Sequence, residues 1–312
     1  MVSSPMSHAI RRFRARARGP RYSRAMYSAR AVDGLIPTLE LADEAAGSLA
    51  VLAPSRGGIL SRLRIAGREV LYLDQATFND RSVNVRGGCP VLFPSPGKLT
   101  SDTFTRDGVH GAMKQHGFAR ALPWEIVSVS DQGAASATLR LTSNEATRAQ
   151  YPWDFTAEYT YSLRDRALGI EMLFTNRSPT PMPFGAGFHP YFAVPDAEKS
   201  RAKIPTPATR AFDNTVKREI DFQGFDFTLP EVDLHLIDHG SAEASLRLEG
   251  GLSVTLRGSP ELSRWVIWSL RARDFICLEP WTSPGDALNT GAGLLLLAPG
   301  ETRALRLEIV CG

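Results

Sequence analysis

The chain has 312 residues, few cysteines and no long apolar run. Its cysteines are Cys89, Cys277 and Cys311, an odd number, far apart and without CxxC spacing. This pattern argues against a disulfide framework and a structural zinc site, and it favours a reducing compartment. No segment approaches the roughly 18 consecutive apolar residues of a membrane-spanning helix. We therefore expect a cytoplasmic protein with no membrane partner.

Acidic residues are absent from residues 1–32, which contain eight arginines. Because the whole chain has a formal net charge of +3, the remaining residues have a net charge of −5. Three interpretations of the segment stay open: a mis-assigned start with the true start near Met26, a disordered basic arm, or an organelle-targeting segment. It lacks the apolar core of a secretory signal and the interleaved aromatics typical of nucleic-acid binding. We expect a basic, disordered extension over residues 1–32, one domain over 33–312, and no nucleic-acid partner.

Helical periodicity is scarce, and from Gly34 onward short apolar runs alternate with polar residues. In residues 155–164 (FTAEYTYSLR), alternation places Phe155, Ala157, Tyr159 and Tyr161 on one side of a half-buried strand. Similar runs are SLAVLAP (48–54), GILSRLRIAG (58–67), EVLYLD (69–74), ATLRLTS (137–143), LGIEMLFTN (168–176), SLRLEG (245–250), LSVTLRG (252–258), WVIWSL (265–270) and TRALRLEIV (302–310). Turn residues separate them, which predicts an all-β protein, a large antiparallel β-sandwich.

Two segments place hydrogen-bonding side chains next to glycine. In RGGCPVLFP (86–94), Arg86 precedes two glycines, and its rigid fork of donors suits sugar hydroxyls or a phosphate. In KQHGFAR (114–120), Gln115, His116 and Arg120 could form a hydrogen-bonding wall for a polyol, because Gly117 permits a sharp turn. The alternatives are an arginine that caps loop carbonyls and a structural histidine.

Two further segments place an acid–base group among apolar residues. His189 lies among aromatics in FGAGFHPYF (184–192), where rings could stack on a sugar and an imidazole with an ordinary pKa near ~6.5 could donate a proton. Glu279 follows an apolar run in ICLEPW (276–281), and a carboxylate there is costly to bury without partners. The alternatives are a hydrogen-bonded core histidine and a glutamate paired with an arginine.

Taken in order, RGGCPVLFP, QHGFAR, GFHPYF and LEPWTSPGDALN resemble the aldose 1-epimerase, or galactose mutarotase-like, superfamily from about residue 35 to the C terminus. The resemblance implies the galactose mutarotase-like supersandwich and an isomerase of carbohydrate metabolism that interconverts the α and β anomers of a hexose. It implies that His189 and Glu279 are catalytic and that Arg86 and His116 contact the sugar. His8, His110, His235 and His239 match nothing in the family pattern.

The resemblance also implies that an acidic residue of EVDLHLIDH (231–239) holds a sugar hydroxyl, and we choose Asp233 over Asp238. Ring opening needs one proton removed from the C1 hydroxyl and one delivered to the ring oxygen. We expect Glu279 as the base and His189 as the acid on opposite sides of the reacting centre, with no metal and no cofactor. The expected partner is a small-molecule sugar or sugar phosphate, and the protein a monomer or weak dimer.

Three alternatives stay open. The first is a hexose-6-phosphate 1-epimerase, because RGG-x-P and QHGFAR are similar to that branch of the family. Arginines bind the substrate phosphate in that branch, and Arg86 and Arg120 are the candidates for this role here. The stretch VLFPSPGK departs from the branch, so we favour a free aldose. A non-catalytic sugar-binding protein could use the same fold. A polysaccharide lyase or glycosidase is the third, but a glycosidase needs two carboxylates about 5–10 Å apart, and only Glu279 has an evident cleft context.

Overall fold

The computed structural model describes residues 26–312, which form mainly antiparallel β-structure. A seven-stranded sheet forms one layer, and alternate side chains of its strands are buried. Its strands, in spatial order, are β19 (Glu243–Arg247), β20 (Ser253–Gly258), β24 (Thr302–Cys311), β12 (Ala167–Asn176), β11 (Phe155–Arg164), β10 (Ala135–Thr142) and β9 (Glu125–Ser130). The predicted buried face of β11 is confirmed, since Phe155, Ala157, Tyr159 and Tyr161 are each at most 1% exposed.

A five-stranded sheet packs on the seven-stranded sheet, with residues 38–43 against β10 and β11. Its strands are β1 (Tyr27–Val32), β2 (Thr38–Asp43), β3 (Ser48–Ala53), β4 (Ile59–Ile65) and β5 (Arg68–Glu69). The predicted strand over residues 69–74 is wrong beyond Glu69. There the chain leaves the sheet and bonds two different segments, because Tyr72 N–H donates to Tyr191 O while Tyr72 O accepts from Gly88 N–H.

An eight-stranded sheet also packs on the buried face of the seven-stranded sheet. Its strands are β17 (Arg218–Asp221), β16 (Arg210–Asp213), β18 (Glu231–Leu236), β21 (Arg264–Leu270), β22 (Phe275–Trp281), β14 (Gly187–Phe188) and β6 (Val91–Leu92), with β15 (Tyr191–Ala193) also paired to β22. Phe188 of this sheet contacts Tyr159 of the seven-stranded sheet, with ring centroids 5.7 Å apart. The all-β sandwich predicted from the sequence is confirmed.

The remaining strands and helices of residues 26–312 are short. Two further antiparallel pairs are the hairpin of β7 (Thr103–Arg106) with β8 (Val109–Ala112) and the long-range pair of β13 (Met182–Phe184) with β23 (Leu295–Leu297). The helices are α1 (Gln75–Asn79), α2 (Glu145–Arg148), α3 (Ala287–Thr290) and 3-10 turns at Pro54–Arg56, Thr100–Asp102, Ala119–Ala121 and Asp196–Arg201. None of the helices described is long and apolar enough to cross a membrane.

The N-terminal extension predicted over residues 1–32 overlaps the sheet. Residues 1–25 lie outside the described residues, so the prediction of disorder there stays a prediction. From Tyr27 onward the prediction needs correction, because Tyr27–Val32 pair with Thr38–Asp43. Tyr27 is buried, and the Arg30 guanidinium lies 2.6 Å from the Glu40 carboxylate across the two strands. Tyr27 and the partly buried Ala29 supply the apolar side of this edge strand, whereas Ala31 is exposed.

Candidate active site

A cavity of about 950 Å³ lies on one face of the eight-stranded sheet. Strand register builds its floor: His235, Val266 and Glu279 are aligned across β18, β21 and β22, and Asp233 and Trp268 lie in the adjacent row. Because side chains two positions apart share a face of a strand, both rows project into the same space. Loops at 84–86, 98–101, 115–120 and 284–286 contribute the rim.

Glu279 and His189 lie side by side in this floor. On the two sides of His189, Gly187 is paired with Trp281 and Tyr191 with Cys277, and this antiparallel register sets His189 opposite Glu279. His189 Nε2 is 3.3 Å from Glu279 Oε1. The arrangement on opposite sides of the reacting centre is therefore wrong: the two groups are cross-strand neighbours.

Both groups are buried and held. Glu279 is 1% exposed, and its Oε2 accepts a 3.1 Å hydrogen bond from Trp281 Nε1. The His189 ring stacks on Tyr191 with centroids 4.8 Å apart and an interplanar angle of 13°. These contacts hold the facing atoms of the pair in place.

Burial sets the protonation of the pair. It raises the pKa of Glu279 well above its usual range, and the nearby carboxylate of Asp233 raises it further. Burial also lowers the pKa of His189 well below its usual range, and His116 and Arg120 lower it further. Both shifts favour the uncharged forms of the pair, a carboxylic acid next to a neutral imidazole.

His116 approaches the pair from the rim. Its backbone is in the left-handed region with φ of 71°, followed by Gly117 at 69°, where an added Cβ would lie 2.3 Å from Phe93 O. Its Nδ1 hydrogen bonds the Pro96 carbonyl, and its Nε2 is 3.2 Å from the Gln115 amide nitrogen. Burial lowers the pKa of His116 to about 3. The imidazole is therefore neutral, with the proton on Nδ1 and an acceptor at Nε2.

Arg86, Gln115 and Arg120 line the same cavity. The Arg86 guanidinium lies over the Trp268 ring, 5.6 Å from its centroid, and Arg120 Nη2 donates to the Gln115 carbonyl at 2.9 Å. Gly87 has φ of 133°, and a Cβ there would lie 2.5 Å from a neighbouring backbone atom, so the RGG turn has no space for a larger residue. Among residues 26–312, neither arginine forms an ion pair with a carboxylate.

Asp233 and Asp238, between which the sequence left a choice, have different surroundings. Asp233 lines the cavity, whereas Asp238 caps a turn by accepting from Thr209 and Arg210 backbone N–H groups. Sequence reasoning missed His235, which also lines the cavity. The sequence did show that Asp233 and His235 are two positions apart and so share one face of β18. Only the strand pairing shows that this face lines the cavity.

The expectation that Glu279 alone has a cleft context is wrong. Four other carboxylates line the cavity, because the sheet brings distant segments together: Glu219, Glu231, Asp233 and Asp286. Several are engaged in the protein itself. Glu231 accepts from Trp268 Nε1 at 2.8 Å, and Asp286 accepts from the Thr100 backbone N–H at 2.9 Å.

Three potential metal-ligating groups, from His189, Cys277 and Glu279, lie within 4.8 Å of one another. A metal-bound histidine almost always donates its second ring N–H to an acceptor. Nδ1 of His189 is buried and has no hydrogen-bond partner in the described part of the chain. The three groups therefore lack the outer support of a protein metal site.

The family model described as aldose 1-epimerase matches residues 38–310. The solved structure of Slr1438 from Synechocystis sp. is 34% identical with a TM-score of 0.85, covering 88% of this chain and 95% of that one. A galactose mutarotase-like protein from Lactobacillus casei has the same fold, with a TM-score of 0.69 at 23% identity, covering 91% and 100%.

A shorter match links the chain to a Salmonella typhimurium protein provisionally named a glucose-6-phosphate 1-epimerase. The two are 34% identical over 99 residues, which is 31% of each chain. The match therefore spans about a third of that relative's length.

Proposed function

The chain belongs to the aldose 1-epimerase family, and we propose that it interconverts the α and β anomers of a hexose by opening and reclosing the ring. The observation that supports this proposal most directly is the 3.3 Å contact between His189 Nε2 and Glu279 Oε1 in the cavity floor. The C1 hydroxyl and the ring oxygen of a hemiacetal are bonded to one carbon. Two adjacent proton-transfer groups can therefore reach both oxygens.

The pair moves protons without changing its net charge. A proton shift from Glu279 Oε1 to His189 Nε2 converts the neutral pair into a carboxylate and an imidazolium. The carboxylate then removes the proton of the C1 hydroxyl, and the imidazolium delivers its proton to the ring oxygen as the C1–O5 bond breaks. After rotation about C1–C2 the roles reverse and the ring closes on the other face. Each positioned proton transfer contributes roughly 10²–10⁴-fold.

Other cavity residues hold the sugar in place. His116 lies next to the pair, with its ring centroid 5.4 Å from that of His189. In the proposal, Arg86, Gln115 and Arg120 bind hydroxyls, and the Trp268 and Trp281 rings contact the apolar faces of the sugar. Correct placement of the anomeric carbon against the pair supplies the remaining acceleration.

A hexose 6-phosphate is the second candidate substrate. Arg86 and Arg120 line the same cavity. Burial lowers the pKa of Arg120, and the positive charge of Arg86 lowers it further. Two guanidinium groups without carboxylate partners in the described residues match the charge and fork geometry of a phosphate group. The name of the Salmonella relative also points to this substrate.

One assay tests both candidates. Freshly dissolved α-glucose, α-galactose and α-glucose 6-phosphate are followed by polarimetry or exchange NMR, with and without the purified protein. Acceleration of a free hexose supports the first proposal, and acceleration of the phosphorylated sugar alone supports the second. If none of the three equilibrates faster than in buffer, both are refuted.

A further inference from the structure

His235 lies in the same cross-strand row as Glu279, with Val266 between them. Neighbouring strands are about 4.8 Å apart, so the two backbones are separated by roughly 10 Å. Val266 is a short side chain in the middle of the row. A single sugar ring with its hydroxyls can therefore lie over Val266 with one end at Glu279 and the other at His235.

A chain of hydrogen bonds holds the His235 imidazole. Lys217 Nζ donates to Asn214 Oδ1 at 2.6 Å, and Asn214 Nδ2 donates to Asp233 Oδ2 at 2.6 Å. Asp233 Oδ1 is 3.3 Å from His235 Nε2. On its two sides the His235 ring meets Trp281 and Phe212 edge to face, with centroids 5.2 and 6.1 Å away. The ring is therefore oriented before any ligand binds.

The charge of Asp233 determines the His235 tautomer. Burial alone would raise the pKa of Asp233, but the bonds from His235 and Asn214 outweigh it, and the pKa is lowered. A carboxylate accepts a proton, so Nε2 carries the hydrogen and Nδ1 is the acceptor. Within residues 26–312, Nδ1 has no hydrogen-bond partner, and His235 lines the cavity.

We propose that His235 is a specificity-determining residue whose Nδ1 accepts a hydrogen bond from a hydroxyl on the C3–C4 edge of the sugar, and that Asp233 is the positioning residue behind it. This inference rests on the proposed function, because C1 and O5 at the Glu279–His189 pair leave the C3–C4 edge facing β18. Asp233 itself lines the cavity, so its support of His235 is added to the sugar contact that the family resemblance implies.

Deoxy sugars test the inference. The catalytic efficiency kcat/KM is measured for whichever hexose the wild type accepts and for its 3-deoxy and 4-deoxy forms. A site built around a hydroxyl rejects the analogue that lacks it, so the wild type should discriminate at one position by about tenfold or more. In His235→Phe, which keeps a ring but removes the acceptor, discrimination at that position should fall to about twofold or less.

Further variants distinguish a role of Asp233 in orienting the His235 ring from a purely structural effect of the substitutions. Asp233→Asn keeps an acceptor for the Nε2 hydrogen and should retain the discrimination, whereas Asp233→Ala should lose most of it. His235→Gln keeps an acceptor on a flexible side chain and covers the case in which His235→Phe does not fold. His110→Phe is the matched control, because His110 lies outside the cavity on the β7–β8 pair.

Two results would overturn the inference: unchanged discrimination in His235→Phe, or a wild type that accepts both deoxy sugars as well as the parent. Either leaves the proposed function intact, because the wild type still equilibrates anomers. If the wild type equilibrates no sugar, the proposed function fails instead. In that case the affinities of the wild type and His235→Phe for the parent sugar are compared by NMR titration. Equal affinities would refute the role of His235, and so would the absence of binding to both proteins.

Discussion

Replacing Glu279 with glutamine removes one proton-transfer group and little else. The amide oxygen can still accept from Trp281 Nε1, as Oε2 does now at 3.1 Å. The amide nitrogen can take the place of Oε1, which is 3.3 Å from His189 Nε2. Since the side-chain volume is nearly the same, the cavity floor should keep its shape.

The expected effect on rate follows from the lost proton transfer. Glutamine cannot hold or release the mobile proton, so ring opening loses its partner for the C1 hydroxyl. We expect the enzyme-catalysed rate constant to fall by roughly 10²–10⁴-fold, the range for one positioned acid–base group. Sugar binding, judged from NMR titration, should change little, because the neutral acid and the amide make similar contacts.

Although Glu279→Gln should lower the rate, it should raise the free energy of unfolding, by an amount that depends on pH. The native pKa of Glu279 is raised above its ordinary value of 4.5, so the native state binds more protons than the unfolded chain between the two values. Its stabilising contribution is complete below pH 4.5 and declines at about 1.4 kcal/mol per pH unit as the pH rises through the native pKa. Glutamine does not titrate, so Glu279→Gln should gain stability relative to the wild type across that interval.

Two measurements on the same preparations test this reasoning. Anomer exchange is followed by NMR on the accepted sugar, and the free energy of unfolding is measured by urea denaturation at several values from pH 5 to pH 8. A variant within tenfold of wild-type activity would refute the acid–base role. A variant whose relative stability falls as the pH rises would refute the neutral, buried state of Glu279.

Three further predictions follow from the same geometry. His189→Asn should lower the exchange rate by roughly 10²–10⁴-fold, whereas His110→Asn should leave it unchanged; equal effects would contradict the assignment. The pH–rate profile should show no midpoint at the ordinary histidine value of 6.5, because burial lowers the pKa of His189 well below it, and such a midpoint in initial-rate assays would contradict this. Gly117→Ala should destabilise the fold by about 1–3 kcal/mol or more, since φ is 69° and the new Cβ would lie 2.3 Å from Phe93 O; an unchanged urea midpoint would contradict it.

Local patterns along the chain predicted most strands of the sandwich. Period-two alternation in residues 155–164 and 168–176 corresponds to β11 and β12, because one face of each strand is buried and the other is not. The prediction failed over residues 70–74, where apolar residues bond two segments from elsewhere in the chain. Alternation reports burial on one side and not the identity of the partner strand.

For the site, the sequence supplied candidate groups without their arrangement. His189 and Glu279 stood out because each is a titratable residue among apolar neighbours, and both line the cavity. Their contact depends on the register of β14 and β15 on β22, which no local pattern encodes. His235 showed no local signal beyond alternation, and the Lys217–Asn214–Asp233 chain behind it joins the β16–β17 turn to β18.

The amino-acid sequence by itself determined which residues are buried in strands and which chemical groups are available for proton transfer and sugar binding. Those properties depend on side-chain chemistry and on neighbours along the chain. The tertiary structure decided which groups meet, because strand pairing brings together residues 90 positions apart, as with His189 and Glu279. It also decided their protonation, since a pKa depends on the burial and charge that only the folded chain creates.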